Sequence, residues 1–122
     1  MQTNQKSILG VLAFFILISS GLNLQAQCAK GKVIEGNSIS SEILEIDVAY
    51  SIYLPPDYDR SKRSYPVVYL LHGYSDDETA WVQFGQVQQA ADKGIAKGTV
   101  PPMVIVMPDA GVTWYINDYK GV

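Results

Sequence analysis

Strict alternation of apolar and polar positions marks residues 44–54, which read LEIDVAYSIYL. Every even-numbered position in this stretch is apolar, and the odd-numbered positions carry Glu, Asp, Ala, Ser and Tyr. Because the side chains of a strand alternate between its two faces, this period predicts a half-buried strand. The upstream segment GKVIEG, residues 31–36, is a weaker candidate for an antiparallel partner strand, with NSISS, residues 37–41, as the turn between the two.

Two continuous apolar runs follow, VVYLLHG at residues 67–73 and MVIVMPDAG at residues 103–111. Apolar runs of this length without alternation are typical of strands that are covered on both faces. Between them, an apolar stripe at helical spacing predicts a helix over about residues 78–97. A strand, a helix and a strand of these lengths form a βαβ unit, in which the strands are parallel and the crossover is right-handed.

The predicted helix has recognisable ends and two weak points. Asp76 and Asp77 are suited to cap its first turn, because a short carboxylate accepts hydrogen bonds from the free backbone amides there. Gly98 is suited to end it. Gly85 and Gly94 lie inside it, and each costs about 1 kcal/mol relative to alanine.

The fold class that follows is α/β, with antiparallel leading strands followed by the βαβ unit. One helix covers only one face of such a sheet, and the other face needs a second layer. We therefore expect the 122 residues to form the N-terminal part of a larger domain, truncated before its remaining layers.

The N-terminal segment has the features of a secretory signal peptide. Lys6 supplies a positive charge, residues 8–18 form an uninterrupted apolar run, and small and polar residues follow. The run is shorter than the roughly 20 residues that a membrane-spanning helix needs. We predict a signal peptide at residues 1–26 and a domain at residues 27–122, in a secreted or periplasmic protein with no stable membrane insertion after cleavage. Cys28 would permit a lipoprotein anchor, but the Gln-Ala-Gln before it argues against one.

Charge and composition exclude several classes of partner and site. The net charge is −3 at pH 7 and the basic residues form no cluster, so nucleic acid is not an expected partner. One His and one Cys do not make a zinc ligand set, so no metal site is predicted. The acidic cluster of Asp76, Asp77 and Glu78 is interpreted as a solvated helix start rather than a cation site.

The most informative chemistry lies in HGYSDD, residues 72–77, at the end of the first parallel strand. In open α/β sheets, ligands bind beyond the carboxyl ends of the strands. Gly73 permits a sharp turn, so the backbone N–H of Tyr74 can point into a cleft and stabilise a developing oxyanion. The alternative is that His72 only ends the strand and bonds the adjacent loop, and the dipeptide alone does not decide between the two.

A catalytic role for His72 as general base would require a nucleophile within reach and a carboxylate to orient the ring. No serine in the chain occupies a Gly-x-Ser-x-Gly motif between a strand and a helix. The segment GNSIS, residues 36–40, comes nearest but has Ser where the last glycine belongs. We therefore interpret His72 as a structural member of the turn.

Four segments together resemble one family of enzymes. In order and spacing, they are similar to the front half of the putative esterase family of α/β-hydrolases: YSIYLPPDYD, YPVVYLLHGYSDDETAW, PPMVIVMPDAG and VTWYINDYKG. This family includes feruloyl and acetyl xylan esterases, S-formylglutathione hydrolase, enterochelin esterase and the antigen 85 mycolyltransferases. The resemblance covers about residues 49–121.

The resemblance implies a serine hydrolase of carboxylic esters that needs no cofactor and acts on a small-molecule or polysaccharide-linked ester. It also implies that the Tyr74 N–H, presented by the turn at Gly73, forms one half of an oxyanion hole. The residues that would border the substrate pocket are Trp81, Asp109, Trp114 and Tyr115. The Ser, the Asp or Glu, and the His of the family's triad follow later in the chain, beyond these 122 residues.

Two functions stay open on these grounds. The first is a fragment of a secreted serine esterase that carries the oxyanion-hole turn and part of the substrate cleft but lacks the triad. The second is a noncatalytic secreted carbohydrate-binding module that uses Trp81, Trp114 and Tyr115. An apolar sheet face that still needs a layer favours the first.

Overall fold

The structure of the protein is a computed structural model that describes residues 29–115. The predicted signal peptide and residues 116–122 lie outside the described residues. The regular elements are β1 (Lys32–Ser41), β2 (Ile46–Leu54), a 3-10 helix (Tyr58–Arg60), β3 (Val67–Tyr69), α1 (Ala80–Gln83), α2 (Val87–Ala96) and β4 (Val104–Pro108). Within the described range, no helix has the length and apolar character needed to cross a membrane.

Four strands form one sheet in the order β1-β2-β4-β3. β1 and β2 are antiparallel, as predicted for the leading pair. β3 and β4 are parallel and are joined through the two helices, which confirms the βαβ unit. The fold class is therefore α/β, and β2 connects the hairpin to the βαβ unit by pairing antiparallel to β4.

The hairpin differs from its prediction in the position of the turn. β1 continues through NSISS, and the chain turns at residues 42–45, where the Glu45 N–H donates to the Ser41 carbonyl at 2.8 Å. The register shifts between Ile34 and Asn37, where Gly36 has a φ of +70°. A bulge at this glycine absorbs the irregularity, so the polar segment stays within the ladder.

The single helix predicted over residues 78–97 is wrong, because the structure has α1 and α2 separated by residues 84–86. Gln86 has a φ of +48°, a left-handed conformation that cannot continue an α-helix. Gly85 lies directly against Trp81, and a Cβ added to it would be 2.9 Å from the Trp81 carbonyl oxygen. The lack of a side chain at this position permits the sharp change in direction.

The helix start also differs in detail. Asp77 accepts hydrogen bonds from the Thr79 hydroxyl at 2.6 Å and from the Thr79 N–H at 2.8 Å, just before α1 begins. These two hydrogen bonds hold the pKa of the Asp77 carboxyl below its usual value. Asp76 contributes its backbone instead, because its N–H closes a turn onto the Gly73 carbonyl at 3.1 Å.

The core lies between the sheet and α2. Its buried apolar residues are Tyr53, Val87, Ala91, Ile105 and Met107. The register pairs Tyr53 with Ile105 and Ser51 with Met107, so the odd-numbered face of β2 is the one that α2 covers. Ser51 and Tyr53 are both 0% exposed. The alternation in the sequence thus predicts two distinct faces, but its purely apolar face is not the more buried one.

The opposite face of the sheet keeps exposed apolar side chains, including Ile39, Ile46, Val67 and Tyr69. No layer made of residues 29–115 covers it. An apolar sheet face of this kind is normally packed against another element.

Candidate active site

The carboxyl ends of β3 and β4 lie side by side at one edge of the sheet, because the two strands are parallel. The ladder extends one step past β3, where the Leu70 N–H donates to the Val106 carbonyl at 2.9 Å. Residues 71–76 leave β3 and residues 109–115 leave β4 at this edge. The HGYSDD turn and the segment that holds Asp109, Trp114 and Tyr115 therefore meet at this edge in the structure.

The turn after β3 has a defined geometry. The Asp76 N–H donates to the Gly73 carbonyl, and Ser75 has a φ of +70° at the third position. A positive φ at that position is the signature of a type II turn, with Tyr74 in the second position. Among residues 29–115, the Tyr74 N–H donates no hydrogen bond to a backbone or side-chain acceptor. No described residue therefore competes with a ligand for this amide.

The His72 ring is held between the two segments. Only 8% of the residue is exposed. Nδ1 lies 2.7 Å from the Gly73 carbonyl oxygen, which can only accept, so Nδ1 carries the proton and donates. Nε2 accepts from the Ala110 N–H at 3.1 Å. The ring is thus the neutral Nδ1–H tautomer, and the Nε2 lone pair that a general base would use is already occupied.

Asp109 lies next to the same ring without forming an ion pair with it. Its Oδ1 is 3.4 Å from His72 Nε2, but an ion pair would require a proton on the nitrogen that accepts from Ala110. The same oxygen accepts from the Gly111 N–H at 2.7 Å, which closes the turn after β4. Asp109 therefore shapes the loop beside His72.

Tyr115 joins the two strand ends. Its hydroxyl accepts from the His72 N–H at 3.2 Å and donates to the Pro108 carbonyl at 3.0 Å. Its ring packs edge-on against the imidazole, with ring centroids 5.1 Å apart. The pKa of the Tyr115 phenol is raised, mainly because the hydroxyl is partly buried. The phenol accordingly stays protonated and serves both hydrogen bonds.

Trp114 stacks on the side chain of Tyr74, with ring centroids 5.1 Å apart and ring planes inclined by 25°. Trp114 is 70% exposed and Tyr74 is 54% exposed, so the pair forms an aromatic surface beside the turn. Offset stacking of this kind is a favourable arrangement of two rings.

Trp81 lies apart from the Tyr74–Trp114 pair. Its indole N–H donates to the Leu71 carbonyl at 2.8 Å, and its ring lines a groove of about 260 Å³ with His72, Gly73 and Phe84. Neither Trp114 nor Tyr115 lines this groove. In the described part of the chain, the four predicted substrate residues are therefore not gathered in one pocket.

Phe84 also lines this groove, although its spacing of three residues from Val87 is typical of the apolar stripe of a helix. It is 80% exposed, because the helix ends at that point. The adjacent Gly85 is the available signal, since a glycine inside a helical pattern weakens the helix. The described residues hold no group of three or more His, Cys, Asp or Glu side chains arranged to bind a metal ion.

Comparison with known proteins identifies the family. The family described as "Putative esterase" matches residues 41–121, which is more than half of the chain. The chain belongs to this esterase family. An endo-1,4-beta-xylanase/feruloyl esterase of Xylanibacter ruminicola is 36% identical over an alignment of 74 positions that covers 57% of this chain and 10% of that protein. An esterase of Mycobacterium tuberculosis is 38% identical over 68 residues, 55% of this chain and 14% of that protein.

Solved structures of esterases share the fold. A ferulic acid esterase superimposes with a TM-score of 0.65 at 34% identity, over 70% of this chain and 32% of that one. The ferulic acid esterase of Anaeromyces mucronatus, in complex with ferulic acid, gives a TM-score of 0.58 at 25% identity, over 76% of this chain and 33% of that one. The esterase-family chain thus has an α/β-hydrolase fold and spans about a third of the structures it matches.

Proposed function

We propose that the chain supplies the oxyanion-hole turn and part of the substrate cleft of a secreted serine carboxylic-ester hydrolase. The observation that carries this proposal is the backbone N–H of Tyr74, which has no acceptor among residues 29–115 and sits where parallel strands end. Membership of an esterase family and similarity to feruloyl esterases support it. The apolar run at residues 8–18 supports export from the cytoplasm.

The chemistry of the turn is electrostatic. Attack on an ester carbonyl places negative charge on its oxygen, and a fixed backbone N–H donates a hydrogen bond to that oxygen. Loss of one such donor typically lowers kcat by about 10² to 10³. The nucleophile, its base and its acid belong, in this proposal, to parts of the enzyme outside the 122 residues, which contain no Gly-x-Ser-x-Gly motif. Esters of aromatic acids on plant polysaccharide are the proposed substrates, by analogy with the relatives.

The first test extends the coding sequence downstream and assays the extended protein. We expect a Gly-x-Ser-x-Gly motif after a further strand, and hydrolysis of feruloyl and acetyl esters that stops when its serine is replaced by alanine. An early stop codon, or an extended protein without ester hydrolysis, would refute the proposal. Binding of oligosaccharides without hydrolysis would instead support the carbohydrate-binding module, for which the 70% exposure of Trp114 is the favouring observation.

The second test addresses the amide itself. Tyr74→Pro removes the N–H, and the second position of a type II turn accepts the fixed φ of proline, so the turn should survive. Tyr74→Ala is the matched control, because it removes the stacked ring but keeps the N–H. We expect the proline variant of the extended enzyme to lose about 10² to 10³ in kcat and the alanine variant to lose far less. Equal losses in both variants would remove the amide from the mechanism.

A further inference from the structure

We propose that His72 is a positioning residue for the oxyanion hole, because its ring fixes the peptide group that carries the Tyr74 N–H. This inference rests on the proposed function, since it assigns the amide the same role. It gives the lone histidine of the chain a task that needs no proton transfer to or from substrate.

The argument begins with the peptide unit between Gly73 and Tyr74. The Gly73 carbonyl and the Tyr74 N–H belong to one planar trans group, so they point in opposite directions. Two donors hold the carbonyl oxygen, His72 Nδ1 at 2.7 Å and the Asp76 N–H at 3.1 Å. Fixing the oxygen on one side of the plane therefore fixes the direction of the N–H on the other side.

Such a restraint is needed because the peptide follows a glycine. Gly73 has no Cβ, so its backbone torsions are far less restricted than those of other residues. The Asp76 N–H belongs to the same turn and moves with it. His72 Nδ1 is the donor whose position is set from outside the turn.

The ring itself is fixed by the loop that follows β4. Ala110 donates to Nε2, and Tyr115 packs against the imidazole while its hydroxyl accepts from the His72 N–H. The His72 side chain is 1% exposed. The orientation of the Tyr74 amide is therefore transmitted from the loop after β4 through His72 to Gly73.

The unmodified chain tests the central contact without any assay of hydrolysis. His72 is the only histidine among the 122 residues, so a tag without histidine leaves a single imidazole in the nitrogen NMR spectrum. We expect the two-bond proton–nitrogen couplings to show a neutral ring protonated at Nδ1 at neutral pH. A ring protonated at Nε2 would overturn the proposal, because it could not donate to the Gly73 carbonyl.

Two variants then separate positioning from packing. The amide nitrogen of His72→Asn reaches the place of Nδ1 and can donate to Gly73, whereas the amide of His72→Gln reaches the place of Nε2 and can bond Ala110. In the extended enzyme we expect His72→Gln to lower kcat by about 10-fold to 100-fold with KM nearly unchanged. This loss is smaller than the one expected when the oxyanion-hole donor itself is removed, because the Tyr74 N–H is still present. His72→Asn should keep kcat within about threefold of the original enzyme, although it loses the Ala110 contact.

Equal falls in kcat for both variants, or falls that follow thermal stability alone, would refute the positioning role and leave His72 as a packing residue. The NMR chemical shift of the Gly73 carbonyl carbon is a second readout of the hydrogen bond from residue 72. It should change in the His72→Gln chain and stay near its original value in the His72→Asn chain. If the extended protein hydrolyses no ester, the proposed function fails, while the tautomer and the Gly73 shift still decide whether His72 holds the peptide.

Discussion

The strongest stability prediction concerns the hydroxyl of Tyr53. This side chain is 0% exposed, and its O–H donates to Asp92 Oδ1 at 2.8 Å. The same carboxylate oxygen accepts from the Gly31 N–H at 2.8 Å, so Asp92 on α2 holds both β2 and the segment before β1. Tyr53→Phe keeps the ring in the core and removes only the donor.

The magnitude follows from the charge of the acceptor. A hydrogen bond to a charged group contributes about 1.5 to 3 kcal/mol, so the variant should lose about 2 kcal/mol of unfolding free energy. For a domain of this size, that corresponds to a fall in Tm of about 8 to 16 °C. Urea unfolding of the chain, followed by circular dichroism, measures the difference. Tyr69→Phe is the matched control, because Tyr69 is 69% exposed and its variant should unfold almost as the original chain does.

The same contact makes a pH prediction. Burial, together with the hydrogen bond to Asp92, raises the pKa of Tyr53 well above its ordinary value of 10.0. The folded protein therefore holds the phenolic proton more tightly than the unfolded chain does. The stabilisation is fully present below pH 10 and is lost as the pH rises above it. The difference in stability between the original chain and Tyr53→Phe should shrink in that window.

Two results would refute this reasoning. One is a Tyr53→Phe variant whose unfolding free energy matches that of the original chain within about 0.5 kcal/mol, the usual range for surface substitutions. The other is a difference between the two proteins that stays constant from pH 8 to above pH 11. The first result would mean that the Asp92 contact does not stabilise the folded state, and the second that the folded state does not hold the phenolic proton beyond pH 10.

Two further substitutions test other close contacts. Gly31→Ala should lower the unfolding free energy by about 1 to 3 kcal/mol through overpacking, because its Cβ would meet the Tyr53 ring and lie 2.6 Å from the Leu54 carbonyl oxygen. Chemical denaturation checks this, and a stability equal to that of the original chain would show that the strands can separate without cost. Tyr115→Phe should cost about 1 to 3 kcal/mol, because it leaves the His72 N–H without its acceptor. Faster hydrogen exchange at the His72 amide is the expected signature, and an unchanged exchange rate would contradict it.

The elements that the sequence predicts well are those whose pattern reflects a strong local rule. Alternation over residues 44–54 predicts β2, and the two apolar runs predict the parallel pair β3 and β4. Their lengths are less well predicted, because the run at residues 67–73 continues into a turn whose conformation depends on His72. Pattern alone does not show where a strand stops pairing.

The features that the sequence pattern does not show depend on contacts between distant parts of the chain. The break between α1 and α2 depends on the close approach of Gly85 to Trp81, which no periodicity encodes. The buried face of β2 is the one that packs against α2, where Asp92 accepts a hydrogen bond from the Tyr53 hydroxyl. The four residues predicted at the substrate pocket lie at the predicted edge of the sheet, beyond the carboxyl ends of β3 and β4. Trp114 stacks on Tyr74, Tyr115 and Asp109 lie against the His72 ring, and Trp81 lines a separate groove.

The shortness of β3 has a consequence for the order in which the site is assembled. β1 and β2 share eight register pairs, whereas β3 and β4 share three. The hydrogen bonds from His72 to Ala110 and to Tyr115 span sequence separations of 38 and 43 residues. Each therefore closes a long loop and carries a larger entropy cost than a hairpin does. We therefore expect the hairpin to form before the turn that presents the Tyr74 amide. The amide that we propose for catalysis thus lies just beyond the shortest of the four described strands.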